Sequence, residues 1–174
     1  ISRHFIPRHF LAFTMKKPRL VLVGNGMAGV RALEELLKIA PDLYDITVFG
    51  AEPHPNYNRI LLSPVLAGEQ TIDEIILNPI SWYEDNGIHL HLNKKVSQID
   101  RVRRKVIAED GTEADYDRLL IATGSNPFIL PVPGKELTGV IAYRDIADTN
   151  TMIETAELYK HAVVIGGGNY FRGA

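Results

Sequence analysis

The sequence of 174 residues contains no cysteine. This absence excludes disulfide bonds, thiolate metal sites, cysteine-ligated iron–sulfur clusters and a redox-active cysteine pair within this chain. Long hydrophobic runs are lacking as well, because no apolar stretch approaches the roughly 18 residues that a membrane-spanning helix needs. The sequence therefore predicts neither a disulfide scaffold nor a membrane protein.

An excess of charge of one sign is also absent, since 19 basic and 21 acidic residues leave a formal net charge of -2. Such a chain has no general attraction to nucleic acid or anionic lipid. Hydrophobic residues make up 45% of the sequence and charged residues 23%, which is typical of globular proteins. We expect a soluble, cytoplasmic protein of one domain or slightly more, with neither nucleic acid nor membrane as a partner.

Strand and helix patterns alternate in residues 20–49. Residues 20–23 form a continuous apolar run, which is typical of a strand buried on both faces. Apolar residues then recur at helical spacing as far as Ile39, Pro41 ends the helix, and residues 45–49 have the pattern of a second strand. This order predicts a right-handed βαβ unit with parallel strands.

Shorter elements are predicted in the rest of the chain. The sequence pattern indicates a short helix at 79–86, strands at 87–92, 95–102, 105–109 and 117–122, a helix within 143–159 and a last strand at 161–165. A second glycine loop follows that last strand, as the first glycine loop follows the first strand.

The first glycine loop is the motif that carries chemistry. Gly24, Gly26 and Gly29 have the spacing G-x-G-x-x-G between a strand and a helix. There the first glycine permits a tight turn, the second lets the main chain approach a pyrophosphate, and the third lets the helix pack closely on the sheet. Glu52 is the first acid after the second strand, at the roughly 20-residue distance expected of a carboxylate that binds ribose hydroxyls. A glycine turn without a ligand is the alternative, but strand, helix and acid together favour a dinucleotide site.

Several further segments extend this motif into a family pattern. They are VGNGMAG at 23–29, NYNRILLSPVLAG at 56–68, SWYEDNGI at 81–88, YDRLLIATG at 116–124 and GGG at 166–168. In this order the segments resemble the two-dinucleotide-binding flavoproteins, in which a first glycine loop holds FAD and a second holds NAD(P)H. Where relatives that reduce disulfides or peroxide carry a reactive cysteine, this chain has Leu61-Leu62-Ser63-Pro64. The chain is most similar to the N-terminal part of the large subunit of assimilatory NAD(P)H-nitrite reductases, in the ferredoxin-reductase-like branch.

The resemblance implies a fold and a division into domains. The fold is α/β, a Rossmann-like FAD/NAD(P)-binding fold with a parallel sheet plus a small antiparallel β insertion, truncated before the second nucleotide-binding domain is complete. Residues 1–16 are predicted to be a disordered N-terminal extension, 17–137 the first segment of the FAD-binding domain, and 138–174 the start of the NAD(P)H-binding domain.

The resemblance also assigns roles to individual residues. The FAD pyrophosphate is expected on the backbone N–H groups of the first loop, the adenosine ribose on Glu52, and a positive partner of adenine or phosphates at Arg59. The cofactor-binding residues that it implies are Gly24, Gly26, Met27, Ala28, Gly29, Glu52, Arg59, Val96, Ala122, Thr123, Gly124, Gly166 and Gly168. Gly166 and Gly168 begin the NAD(P)H loop, whose third glycine is replaced by Phe171, so this NAD(P)H site is expected to be incomplete. No catalytic acid–base pair and no metal ligands are predicted.

The activity implied by the family is electron transfer from NAD(P)H through FAD to iron–sulfur and sirohaem centres, which reduce nitrite to ammonia. Those centres need cysteine ligands, so they are expected only in sequence beyond this chain, and the chain alone is expected to be inactive. A small subunit or an electron-acceptor domain is the expected protein partner. A stand-alone NAD(P)H-dependent ferredoxin or rubredoxin reductase is one alternative. An inert, truncated nucleotide-binding module is another, from a different functional class.

Overall fold

The computed structural model describes residues 16–166 of the chain. Residues 1–15, most of the predicted N-terminal extension, lie outside the described residues, as do Gly168 and Phe171. The described part contains seven strands and four α-helices. In chain order they are β1 (Arg19–Val23), α1 (Met27–Ile39), β2 (Asp45–Phe49), α2 (Leu62–Leu66), α3 (Ile80–Asp85), β3 (His89–His91), β4 (Val96–Asp100), β5 (Lys105–Ala108), β6 (Glu113–Asp115), β7 (Arg118–Ile121) and α4 (Ile146–Leu158).

A four-stranded parallel sheet forms the centre of the fold, with strand order β3-β2-β1-β7. Strand β1 lies between β2 and β7 and pairs with β7 from Leu20 opposite Arg118 to Val23 opposite Ile121. Helix α1 connects β1 to β2, so the predicted βαβ unit is confirmed. All four strands end at the same edge of the sheet, which is where open α/β sheets bind their ligands.

Strand β1 is buried on both faces, as its continuous apolar run predicts. Leu20 and Leu22 face helices α1 and α3 in a cluster with Leu33 and Tyr83. The alternate residues of β1 face the small second sheet, in a cluster of Val21, Val23, Phe49, Val106 and Ala108. Because successive side chains of a strand point to opposite faces, one apolar strand serves both layers.

The small second sheet is antiparallel, with strand order β4-β5-β6. Strands β4 and β5 correspond to the strands that the sequence predicts at 95–102 and 105–109, and a turn at residues 101–104 joins them. Strand β6 has no signal in the sequence, because three residues are too few for a readable alternation. It is formed by pairing with β5 from Lys105 opposite Asp115 to Ile107 opposite Glu113. The predicted parallel sheet with a small antiparallel insertion is thus confirmed.

A side-chain clamp joins the start of β1 to the start of β7. The Asp117 carboxylate accepts hydrogen bonds from the Arg19 backbone N–H at 2.8 Å and from its guanidinium at 3.1 Å. These bonds lower the pKa of Asp117 to about 2, with the hydrogen bonds from Arg19 as the main cause. The clamp fixes the register of β7 against β1, and hence the position of the segment that follows β7.

Helix α4 packs on the short helix α2. Ile146 is buried in a cluster with Tyr57, Leu62, Val65 and Ile75. The helix begins with a capping box, in which the side chain of Asp145 accepts from the Asp148 N–H and the Asp148 side chain accepts from the Asp145 N–H.

The strand predicted at 161–165 is wrong, because residues 161–166 form no regular structure. Val163, Val164 and Ile165 are exposed there, and an isolated strand has no ladder to stabilise it. No helix in the described part is long and apolar enough to cross a membrane.

Candidate functional site

The first glycine loop lies at the carboxyl edge of the parallel sheet, between the ends of β2 and β7. Gly24 begins the loop, and its N–H donates to the Phe49 carbonyl at the end of β2, at 2.9 Å. On the other side the Ala122 N–H donates to the Val23 carbonyl at 2.8 Å. The backbone φ of Gly24 is +109°, a conformation that side-chain-bearing residues rarely adopt. The loop is therefore held on both sides by the sheet.

Three glycines of the loop face three different surroundings. A Cβ atom at Gly24 would lie 2.2 Å from the Ala122 carbonyl oxygen, which excludes any side chain there. A Cβ at Gly29 would lie 2.9 Å from both the Gly24 carbonyl oxygen and the Leu22 Cδ1 atom, so this glycine permits close contact of α1 with β1. A Cβ at Gly26, in contrast, would have no atom of the described residues within 4 Å. Gly26 faces open space, and that space is available to a ligand.

The amino end of α1 points into this open region without a side-chain cap. Gly26 is the N-cap residue, no side chain within residues 16–166 bonds to the backbone N–H groups of the first turn, and no acidic residue lies in that turn. Met27 is half-buried and Ala28 is exposed. Unpaired N–H groups and the positive end of the helix dipole together attract anions such as phosphate. The loop thus has the free N–H groups and the dipole that an anionic ligand needs.

Glu52 follows β2 and is held in place by two neighbours. Its carboxylate accepts a hydrogen bond from the Tyr57 hydroxyl at 2.6 Å and pairs with the Arg59 guanidinium. Burial, followed by the hydrogen bond to Glu52, raises the pKa of the Tyr57 phenol, so the hydroxyl stays protonated and remains a donor. The Glu52 side chain keeps 26% exposure. A carboxylate has room for about four hydrogen bonds, so this one can still accept from a ligand.

Arg59 connects the acid to the start of α4. Besides pairing with Glu52, its guanidinium donates to the Arg144 carbonyl oxygen at 3.2 Å and lies 5.1 Å from the centre of the Tyr57 ring. The family resemblance implies Arg59 as a positive partner of the cofactor, but it does not reveal the contacts with Tyr57 and Arg144. Arg144 is 85 residues away in sequence, and no local spacing indicates such a contact.

Comparison with known proteins assigns this architecture to a family. The family model described as pyridine nucleotide-disulphide oxidoreductase matches residues 18–170, which include the glycine loop, Glu52 and Arg59. The chain belongs to the pyridine nucleotide-disulphide oxidoreductase family. This family name agrees with the two glycine loops found in the sequence.

Relatives in this family confirm the resemblance that the sequence motifs indicate. The chain is 56% identical over 154 residues to the nitrite reductase [NAD(P)H] of Bacillus subtilis (strain 168), covering 88% of this chain and 19% of that protein. It is 34% identical over 152 residues to the ferredoxin–NAD(+) reductase component of the biphenyl dioxygenase system of Paraburkholderia xenovorans (strain LB400), covering 86% of this chain and 36% of that protein. The chain thus spans well under half the length of these relatives.

A solved oxidoreductase structure has the same fold. The NADH:rubredoxin oxidoreductase from Clostridium acetobutylicum superposes with a TM-score of 0.72 at 25% sequence identity, over 82% of this chain and 36% of that one. The Rossmann-like FAD/NAD(P)-binding fold that the sequence predicts is therefore confirmed. The roles of individual residues are a separate question, and they stay predictions.

The structure brings most of the predicted family-site residues together. The Ala122 side chain packs on the core cluster beneath the loop, and Thr123 and Gly124 continue from it, exposed. Glu52 lies in the segment that reaches the loop, since the Asn25 side chain donates to the His54 carbonyl at 3.5 Å. Val96 is half-buried in β4 against the cluster between the two sheets. Gly166 is at the end of the described chain, exposed and after a segment without regular structure, and no contact joins it to the other residues of this assembly within residues 16–166.

The two histidines of β3, His89 and His91, contact different neighbours. His89 lies 3.4 Å from the Asp45 carboxylate, and the His91 ring packs against Phe49 with centroids 4.9 Å apart. Within residues 16–166 no group of three or more histidine or acidic side chains is placed to hold a metal ion. Both histidines thus contact residues of the neighbouring strand β2.

Proposed function

We propose that this chain is the FAD-binding module of an NAD(P)H-dependent oxidoreductase that passes electrons to downstream iron–sulfur and sirohaem centres for the reduction of nitrite to ammonia. The observation that carries the proposal is the open cradle at Gly26, which faces the uncapped amino end of α1 beside the held carboxylate of Glu52. The identity with a protein named nitrite reductase [NAD(P)H] supports the choice of acceptor.

The residues present fit an FAD molecule. The backbone N–H groups of residues 26–29 would bind the pyrophosphate, with Gly24 shaping the turn and Gly29 setting the distance of α1 from β1. Glu52 would accept the hydroxyls of the adenosine ribose, and its negative charge would disfavour a 2′-phosphate at that position. Arg59 would offset the negative charge of Glu52 and of the phosphates. The main chain of Val96 would contact the adenine edge, and the backbone of residues 122–124 would pack against the cofactor.

The chemistry itself needs few side chains. FAD, when bound, accepts a hydride from NAD(P)H and releases electrons to a metal centre. The chain's own residues would bind and orient the cofactor. Hydride transfer between nicotinamide and flavin therefore needs no acid–base pair, and none is predicted. NAD(P)H binding through Gly166 and Gly168 belongs to the proposal, and the site needs further residues to be complete. The terminal centres are proposed for sequence beyond this chain, because the chain has no cysteine.

A ferredoxin or rubredoxin reductase is the second candidate. The 34% identity with a ferredoxin–NAD(+) reductase component and the superposition on an NADH:rubredoxin oxidoreductase favour it. Both candidates use the same FAD module and differ in the protein or domain that receives the electrons.

The visible spectrum of the complete protein, purified as its gene encodes it, tests the proposal. We expect flavin absorption at near-stoichiometric occupancy, bleaching of that absorption by NAD(P)H without oxygen, and its return when nitrite is added. Return with a ferredoxin or rubredoxin but not with nitrite would support the second candidate. A folded, colourless protein that does not take up added FAD would contradict both and support an inert module.

A further inference from the structure

A buried hydroxyl connects the two loops of the candidate site. Tyr83 lies in α3 and is 1% exposed. Its hydroxyl donates to the Asn25 side-chain oxygen at 2.8 Å, and it accepts from the Asn56 backbone N–H at 3.3 Å. Asn25 is in the glycine loop after β1, and Asn56 is in the loop after β2, which also carries Glu52. One hydroxyl group therefore bonds to both of the loops that are proposed to hold FAD.

The hydrogen bonds continue from Asn56 to helix α1. The Asn56 side-chain amide donates to the Asn78 side-chain oxygen at 2.8 Å, and the Asn78 amide donates to the Glu34 carboxylate at 2.9 Å. Glu34 lies in α1, the helix that begins at the glycine loop. The network thus runs from the glycine loop through Tyr83 to the loop after β2, and from there back to helix α1.

Asn25 is the point at which this network can hold the glycine loop. It lies between Gly24 and Gly26, neither of which has a side chain, so Asn25 alone can anchor this turn through a side chain. A flexible loop loses conformational freedom when it binds a ligand, whereas a loop already fixed by hydrogen bonds loses less. Burial raises the pKa of Tyr83 to about 12, so the hydroxyl is protonated and can donate to Asn25 throughout the physiological range.

We propose that Tyr83 is a positioning residue for the FAD site, whose hydroxyl fixes the glycine loop relative to the loop that carries Glu52. This inference rests on the proposed function and deepens it. The alternative is a purely structural role, in which Tyr83 only anchors α3 to the core. The ring does pack in the core cluster, but the hydroxyl is directed at the site.

Tyr83→Phe separates these two roles, because it keeps the ring and removes only the hydroxyl. We expect the Kd for FAD of the complete protein to rise roughly three- to tenfold, the size of one lost hydrogen bond. The Kd is measured by titrating the apoprotein with FAD and following flavin fluorescence, at a temperature where circular dichroism shows both proteins fully folded. Tyr44→Phe is the matched control. Tyr44 packs on the same cluster, and within the described chain its hydroxyl makes no hydrogen bond to either loop, so its Kd should stay within about twofold.

A double variant tests whether Tyr83 acts through the loop. Asn25→Ala should weaken FAD binding, and the double variant with Tyr83→Phe should lose less affinity than the product of the two single losses, because both single variants remove the same Tyr83–Asn25 hydrogen bond. A purely structural Tyr83 would instead lower the thermal midpoint of the apoprotein and leave the Kd of the folded protein unchanged, which would overturn the inference. If Tyr83→Phe does not fold, unchanged FAD binding by Asn25→Ala overturns the inference just as well.

The parent protein separates this inference from the proposed function. Failure of the parent to bind FAD would contradict the proposed function, and the inference with it. Normal binding by the parent together with unchanged binding by Tyr83→Phe would overturn only the role of Tyr83.

Discussion

Replacing Gly24 by alanine is expected to lower the free energy of unfolding by at least about 3 kcal/mol, the range of severe steric substitutions. The added Cβ would lie 2.2 Å from the Ala122 carbonyl oxygen, an atom of the main chain that cannot rotate away. The loop cannot shift either, because Gly24 bonds to Phe49, and Ala122 bonds to Val23. The positive φ of Gly24 adds strain of its own. Urea unfolding of the 174-residue chain, followed by the fluorescence of its single tryptophan, Trp82, measures the change.

Gly87→Ala is the matched control for the conformational strain. Gly87 also has a positive φ, of +64°, but a Cβ there would have no atom from residues 16–166 within 4 Å. It lies between α3 and β3, at the opposite end of β3 from the carboxyl edge. This variant should lose only the cost of the backbone conformation, roughly 1–2 kcal/mol. Equal losses in the two variants would show that the contact with Ala122 does not constrain the loop.

Replacing Gly26 by alanine is expected to weaken FAD binding while changing the stability of the fold little. The backbone at Gly26 is extended, with φ of -93° and ψ of 175°, and the Cβ position is empty, so the fold should lose less than about 1 kcal/mol. The same Cβ would enter the space left for the pyrophosphate and keep the phosphates from the backbone N–H groups. We expect the Kd for FAD of the complete protein to rise at least roughly tenfold, about 1.4 kcal/mol.

Gly87→Ala is also the control for Gly26→Ala, with the expected effects on stability and FAD affinity reversed. Gly87→Ala should cost stability and leave the FAD affinity of the folded protein unchanged, whereas Gly26→Ala should cost affinity and leave stability nearly unchanged. If Gly26→Ala bound FAD as tightly as the parent, the open space at Gly26 would not be the pyrophosphate site.

The parts of the fold that sequence could predict are those governed by local pattern and sterics. The apolar run of β1 requires burial on both faces, and the structure places residues 20 and 22 toward the helices and residues 21 and 23 toward the second sheet. The spacing of Gly24, Gly26 and Gly29 predicts a turn, an open approach and a close helix contact. The Cβ environments of these glycines match those three requirements in order.

The parts that sequence could not predict depend on contacts between distant residues. The Tyr83 hydroxyl reaches Asn25 across 58 residues, and the helical pattern of α3 indicates only that its ring is buried. The contact of Arg59 with the start of α4 has no local signal for the same reason. For the strand predicted at 161–165 the local signal is present, because the segment is apolar. No strand within residues 16–166 pairs with it, so it does not form.

Backbone amide hydrogen exchange of the complete protein, with and without saturating FAD, tests the central claim most directly. The claim is that the main-chain N–H groups at 26–29 bind the pyrophosphate of FAD. We predict that FAD slows exchange of these amides at least roughly tenfold, while the amides of the exposed turn at 101–104 exchange as before. Exchange at 26–29 that is the same with and without bound FAD would contradict the account.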